Sequence, residues 1–335
     1  MRRVNFRIIS LACLLLTYCS LPKVVATPGP ETLIIPTNSV PPPLPTPELG
    51  LAENPLILAL PPSVAQPEQI AAAKAIAVQL SQRTGYSVVV VSSDSPAFLV
   101  DALEKGNAHI VLLDPLSYEA SYQKGLIKAA FAVVKDGKTM YGSQLVASKR
   151  GGFISYFDSA TQTNTADASI ALKQFIGKKP CWSDEASPSG YIVPLGLLKK
   201  YQIEMQPAAF VQGHPTVIRS IYAGGICDFG ATYIDARKFP SLEDQYPDLL
   251  ERVIIVWQIP EIIPFSVLAF SSQLPENIRE TFSAAIIALL QTDDGKNFFK
   301  KAFDISALAT INDASFEDFH DLMKESRLNI LTILK

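Results

Sequence analysis

An α/β fold in two halves is predicted by three features of the sequence. Apolar runs of strand length alternate with helical patterns from Pro55 onward. The alternation stops and then restarts further along the chain, and 335 residues fit two domains of ordinary size better than one small core. With 48% hydrophobic and 18% charged residues, the chain has enough apolar surface to bury both halves.

In the first half, Leu56 to Leu60 is a buried strand, and Gln66 to Arg83 places Ile70, Ala73, Ala77 and Leu80 on one helical face. Gly85 supplies the stop. Val88 to Val91 is the second strand, Ala97 to Lys105 the second helix, and Ile110 to Leu113 the third strand, closed by Asp114-Pro115. That order implies right-handed crossovers and a mainly parallel sheet flanked by helices. In the second half, Ile170 to Ile176 is helical, Pro180 to Ser183 a strand, and Gly190 to Tyr201 helical again. Met205 to Val211, Ile226 to Ala231 and Val253 to Gln258 read as strands, with Thr216 to Tyr222 as a helix. Leu274 to Leu290 is a long amphipathic helix, and two further helical patterns close the chain.

Residues 1–26 have the parts of a secretory signal: Arg2, Arg3 and Arg7, the apolar run Ile8 to Tyr18, and Val24-Val25-Ala26 before a cut. The apolar run is about 11 residues, against roughly 20 for a spanning helix. Leu16-Thr17-Tyr18-Cys19 resembles a lipobox, in which Cys19 would be acylated, although Tyr18 stands where that pattern has a small residue. Lipidation at Cys19 and cleavage after Ala26 both stay open, and either places the mature chain outside the cytoplasm. Residues 27–54 hold eight prolines, among them Pro41-Pro42-Pro43, and read as an extended linker or an ordinary N-terminal tail. As a polyproline leash it would reach at most roughly 85 Å.

Composition removes several functions. A net charge of −3, from 29 basic and 32 acidic side chains, leaves no basic surplus for a phosphate backbone, so nucleic acid is not an expected partner. Three histidines and four cysteines without a CxxC pair argue against a structural metal, and no cofactor is expected. No HExxH or Walker A run occurs. Ala186-Ser187-Pro188-Ser189-Gly190 lacks the GxSxG pattern of a nucleophile elbow, so no catalytic residue is assigned. A hydrolase using Ser187 or Ser189 with His214 and Asp228 is the competing reading, and a ligand-sensing module for a membrane partner is a third.

Four segments carry a resemblance. They are Gly106-Asn107-Ala108-His109-Ile110 leading to Asp114-Pro115-Leu116-Ser117-Tyr118; Ser187-Pro188-Ser189-Gly190-Tyr191 followed by Pro194; Gly213-His214-Pro215 leading to Cys227-Asp228-Phe229-Gly230 and on to Arg237; and Val256-Trp257-Gln258-Ile259-Pro260 to Pro264. In this order, across roughly residues 55–330, the chain resembles the phosphate-, phosphonate- and phosphite-binding proteins of ABC transporters. The resemblance implies the two-lobed type II periplasmic-binding-protein fold. Lobe I would comprise 55–147 and 265–335, and lobe II 148–264. The chain would cross near Ser143 to Ser148 and return near Pro264 to Ala269, with the C-terminal helices back on lobe I. A monomer that captures a small anion and delivers it to a membrane permease is the implied function.

The resemblance also names residues. Ser187, Ser189, Gly190 and Tyr191 begin a helix whose free N–H groups and dipole favour an anion. Ser187 or Ser189 alternatively only caps that helix. His214 would contact a ligand oxyanion as a hydrogen-bond donor. Tyr118 would reach the cleft, or else pack beside Leu116. Asp228, read as closing a strand, would orient a ligand donor or tie the neighbouring loop. Asp235 and Arg237 read as a surface pair. Relatives that bind aminophosphonates carry Asn-Asp after the last Ile-Pro, whereas this chain has Glu261 in a shifted register. Cys181 and Cys227 remain after export and either pair or stay as buried thiols.

Overall fold

The computed structural model describes residues 48–334. The signal segment, Cys19 and most of the expected linker lie outside the described residues. The first elements are β1 (Leu56–Leu60), α1 (Pro67–Thr84), β2 (Val88–Ser92), α2 (Pro96–Glu104), β3 (Ile110–Leu113), α3 (Pro115–Gln123) and β4 (Ile127–Val134). Next come β5 (Met140–Ser148), the short hairpin β6 (Phe157–Asp158) and β7 (Thr163–Asn164), α4 (Ala168–Ala171) and β8 (Pro180–Trp182). A π-helical turn over Pro188–Ile192 runs directly into α5 (Val193–Lys200). Then follow β9 (Ala209–Phe210), α6 (His214–Ala223), β10 (Phe229–Tyr233), α7 (Pro240–Gln245), α8 (Leu249–Arg252) and β11 (Val253–Pro264). The chain closes with β12 (Val267–Ser271), α9 (Glu276–Leu290), α10 (Asp293–Phe303), β13 (Ala307–Thr310), α11 (Glu317–Glu325) and α12 (Ile330–Ile333).

Two mixed sheets organise these elements. The first has the order β13-β4-β12-β3-β1-β2, with β1 parallel to both β2 and β3. The second has the order β11-β5-β10-β8-β9, with β8 parallel to β9 and β10, and β5 antiparallel to β10 and β11. Residues 135–139 carry the chain from the first sheet to the second, earlier than the expected crossing at Ser143 to Ser148. Residues 265 and 266 carry it back. At these crossings β5 and β11 pair, with Met140 opposite Pro264 and Tyr141 opposite Ile263. The Tyr141 and Phe265 rings stack there at 5.2 Å.

The helices bury apolar faces where the period of 3.6 places them. In α1, Ala77 is buried, and Ala72, Ala73, Ile76 and Leu80 are buried in one core with Phe282 and Ile286 of α9 and Phe299 of α10. Thus α9 and α10 pack on the first sheet. Of the last helices, α12 lies against α3 of the first sheet and α11 against α5 of the second. The absence of a side chain at Gly196 allows that approach, since a Cβ there would stand 1.9 Å from the Leu322 carbonyl oxygen. Lys199 Nζ donates to the Ser326 carbonyl at 2.6 Å, fixing the same contact. His320 Nδ1 pairs with the buried Glu119 of α3 at 2.5 Å, so the C-terminal segment holds both sheet halves.

Cys181 and Cys227 form a disulfide with Cα atoms 5.6 Å apart. It joins β8 to the loop before β10, two neighbours in the second sheet. Among the described residues no helix is long and apolar enough to cross a membrane.

Candidate functional site

Strands β8 and β10 run parallel, and their carboxyl ends open on two helix starts, an arrangement that places ligands in α/β sheets. After β8, Ser183 leads through Asp184, Glu185 and Ala186 to Ser187, and Pro188 begins the helix. Proline suits that position because its missing N–H would have no partner there. Ser187 Oγ accepts the Gly190 N–H at 2.9 Å, so Ser187 does cap the helix. Ser189 is buried, and its carbonyl accepts from Ser143 Oγ of β5 at 2.6 Å. Gly190 is required by close packing. A Cβ there would stand 1.8 Å from Ser183 Oγ, 2.8 Å from Ser183 Cβ and 2.8 Å from Ser187 Oγ. Tyr191 is half-buried and packs edge-on against Phe210 at 4.9 Å, so it braces the turn.

The second helix start belongs to α6. The Gly213 N–H donates to the Ser183 carbonyl at 2.8 Å and ties this start to the first one. His214 Nδ1 accepts the Tyr233 N–H at 3.3 Å, at the end of β10. That bond puts the imidazole proton on Nε2, leaving Nε2 as a donor. Burial pushes the His214 pKa down to about 4, so the ring is neutral at pH 7.

Residues on the inter-sheet connection complete the surroundings. The Tyr141 hydroxyl is pushed up to about 12, chiefly by burial; the Ser189 hydroxyl opposes that shift and the Asp114 charge adds to it. Asp114 caps α3 of the first sheet, accepting from the Leu116 and Ser117 amides at 2.9 and 3.1 Å. Tyr141 lies near the start of β5, where the chain crosses between the two sheets. Gln144 donates to Thr232 Oγ1 at 3.2 Å and to Asp235 Oδ1 at 2.8 Å, fixing the end of β10.

Three expectations need correction. Tyr118 does not reach a cleft: it is fully buried on α3, and its hydroxyl donates to Asp313 Oδ1 at 3.1 Å. Its ring packs edge-on against Phe316 at 5.4 Å, within the C-terminal segment. Asp228 precedes β10 rather than closing it, so it lies at the amino end, away from Ser183 and His214. There it accepts the Lys179 N–H at 2.8 Å and ties the loop, the second of its two expected roles. Asp235 and Arg237 are not a surface pair. Their side chains are 12% and 11% exposed, the ion pair measures 2.7 Å, and Arg237 also donates to the Val253 carbonyl at 3.0 Å.

The structure thus brings Ser187, Ser189, Gly190, Tyr191 and His214 around one end of the second sheet and leaves Tyr118 and Asp228 elsewhere. Among the described residues Ser187 Oγ is bonded to the Gly190 N–H, His214 Nδ1 to the Tyr233 N–H and Asp228 to the Lys179 N–H, so the Ser-His-Asp arrangement of the hydrolase reading is not assembled there. Glu261 is exposed and ion-paired with Lys138. Sequence reasoning missed Ser143, Tyr141 and Ser183. Ser183 carried a usable signal, a hydroxyl directly after a short apolar strand and seven residues before the helix glycine.

Known proteins share this architecture. The structure of XAC2383 from Xanthomonas citri bound to ATP superposes with a TM-score of 0.58 at 14% identity, covering 81% of this chain and 96% of that one. The chloride-bound form of the same protein gives the same score and identity, covering 97% of its chain. These likenesses establish the fold. In sequence, the chain is 27% identical over 165 residues to the phosphate-import protein PhnD of Mycolicibacterium smegmatis, a match covering 46% of this chain and 47% of the relative. The chain therefore spans about half the length of that relative. Residues 58–316 match the family described as the periplasmic substrate-binding protein of phosphonate ABC transporters, a substrate-binding family and not an enzyme family. With its two-sheet type II periplasmic-binding fold, this chain belongs to that family.

Proposed function

We propose that the protein captures a small tetrahedral oxyanion (phosphate, phosphite or a phosphonate) at the Ser187–Tyr191 turn and delivers it to an ABC permease. The observation that carries this reading is the convergence of two helix starts, bridged by the Gly213–Ser183 hydrogen bond, at the carboxyl ends of β8 and β10. Helix starts offer N–H groups and a positive dipole end to an anion. The side chains gathered there, Ser187, Ser189 and neutral His214, are uncharged donors. They bind an oxyanion by hydrogen bonds and not by a fixed positive charge, which suits capture followed by release. Phosphate import by the PhnD relative and the family match over 58–316 support the ligand class.

The site lies beside two chain crossings, which act as hinges when the halves close on ligand. Export directed by residues 1–26 places the protein outside the cytoplasm, and acylation of Cys19 would hold it at a membrane through the proline-rich segment. The capture unit acts as a monomer.

A thermal-shift series with inorganic phosphate, phosphite and methylphosphonate tests this directly. At 100 times Kd, the true ligand should add about 2.7 kcal/mol of stability. Absence of any shift with all three at millimolar concentration would refute oxyanion capture.

A further inference from the structure

We propose that Ser183 is a further ligand-binding residue, its hydroxyl donating to an oxygen of the captured oxyanion. The inference rests on the oxyanion reading above and adds a donor to that site. Ser183 is clamped by its backbone: its N–H donates to the Gly190 carbonyl at 3.3 Å, and its carbonyl accepts the Gly213 N–H at 2.8 Å. The residue is 1% exposed, and its Oγ has no hydrogen-bond partner among the described residues. A buried hydroxyl without a partner is costly, and the great majority of such groups are satisfied.

The position of this hydroxyl points to what would satisfy it. Ser183 Oγ fills the notch that Gly190 leaves open, 1.8 Å from where a Cβ would stand. Ser187 Oγ borders the same notch and accepts the Gly190 N–H. Ser187 Oγ therefore occupies the acceptor position that a ligand oxygen takes at a helix start. When an anion arrives, rotation of the Ser187 side chain about χ1 vacates that position. The incoming oxygen then accepts from the Gly190 N–H and meets Ser183 Oγ–H as a second donor, while Ser187 turns its own hydroxyl to another ligand oxygen. Uptake leaves Ser183 paired, so the unpaired hydroxyl favours the bound state.

Titration calorimetry with inorganic phosphate, phosphite and methylphosphonate on the wild type, Ser183→Ala and Ser183→Cys tests the assignment, with thermal melts of the ligand-free proteins alongside. Ser183→Ala removes a hydroxyl that bonds nothing in the free protein, so its melting temperature should equal or exceed that of the wild type. Its affinity for the anion that the wild type binds should fall roughly ten- to a hundred-fold, the loss of a hydrogen bond to a charged group. Ser183→Cys, of similar size with a weak donor, should fall between the two. Undiminished affinity in both variants would overturn the role of Ser183 and leave oxyanion capture standing. A wild type that binds none of the three anions would overturn both.

Discussion

Replacing Gly190 by alanine tests the packing of the anion turn and its chemistry together. The added methyl would stand 1.8 Å from Ser183 Oγ and 2.8 Å from Ser183 Cβ. Rotating the Ser183 hydroxyl away relieves the first clash but not the second, because Ser183 Cβ is fixed by a backbone bonded on both sides. Overpacking of this kind costs about 1–3 kcal/mol. For a body of this size the corresponding fall in Tm is roughly 2–5 °C. The turn must also shift away from the end of β8, so phosphate affinity should fall by at least about ten-fold, equivalent to roughly 1.4 kcal/mol. The assay is calorimetric titration paired with urea unfolding. The double variant Ser183→Gly/Gly190→Ala separates the two effects, because it removes both Ser183 atoms from the clash. Stability should recover most of the loss, giving a coupling energy between the sites. Affinity should stay low, because the Ser183 donor is gone. A Gly190→Ala protein with wild-type stability and wild-type phosphate affinity would refute the geometry on which the site depends.

Three other perturbations follow from the same structure. Gly196→Ala drives a methyl to 1.9 Å from the Leu322 carbonyl, a backbone atom that cannot rotate aside, so α11 should loosen from α5. Urea unfolding should show a loss of about 3 kcal/mol, and an unchanged midpoint would contradict the contact. Reduction of Cys181–Cys227, which are 46 residues apart, should cost about 2–4 kcal/mol; a melt unaltered by reductant would show that the link contributes nothing. The histidines set an acid limit. His214 is held at about 4 against an ordinary 6.5, and burial lowers His109 as well. The unfolded chain therefore binds more protons than the folded one between those values, so stability is fully present above pH 6.5 and falls as pH drops toward 4. His214→Gln should flatten that slope in melts between pH 4 and 7, and an equally steep slope in the variant would refute the assignment.

How much of this was legible in the sequence depended on the range of the forces involved. Helix starts are local, and the Pro188 and His214 starts could be read from Pro, Gly and hydroxyl residues within a few positions. The strand before Ser183 was legible for the same reason. Asp228 was misplaced because Ile226 and Cys227 look like strand residues. The strand begins only at Phe229, after Gly224 and Gly225 with positive φ and a carboxylate bonded to the Lys179 amide. Tyr118 was misread because its partner, Asp313, is 195 residues away, and no local pattern reveals that bond. The α11–α5 contact was hidden likewise, since Gly196 reads in sequence as a weak point in a helix and in space as the opening for Leu322. The early crossing was missed because β5 pairs on both sides in the second sheet, and such pairing is a tertiary property.

The most direct test of the central claim is a crystal structure grown with the anion that raises the melting temperature. Oxyanion density within hydrogen-bond reach of the Gly190 N–H, with the Ser187 side chain rotated off that amide, is the predicted result. An anion bound elsewhere, with Ser187 Oγ still on the Gly190 N–H, would contradict it.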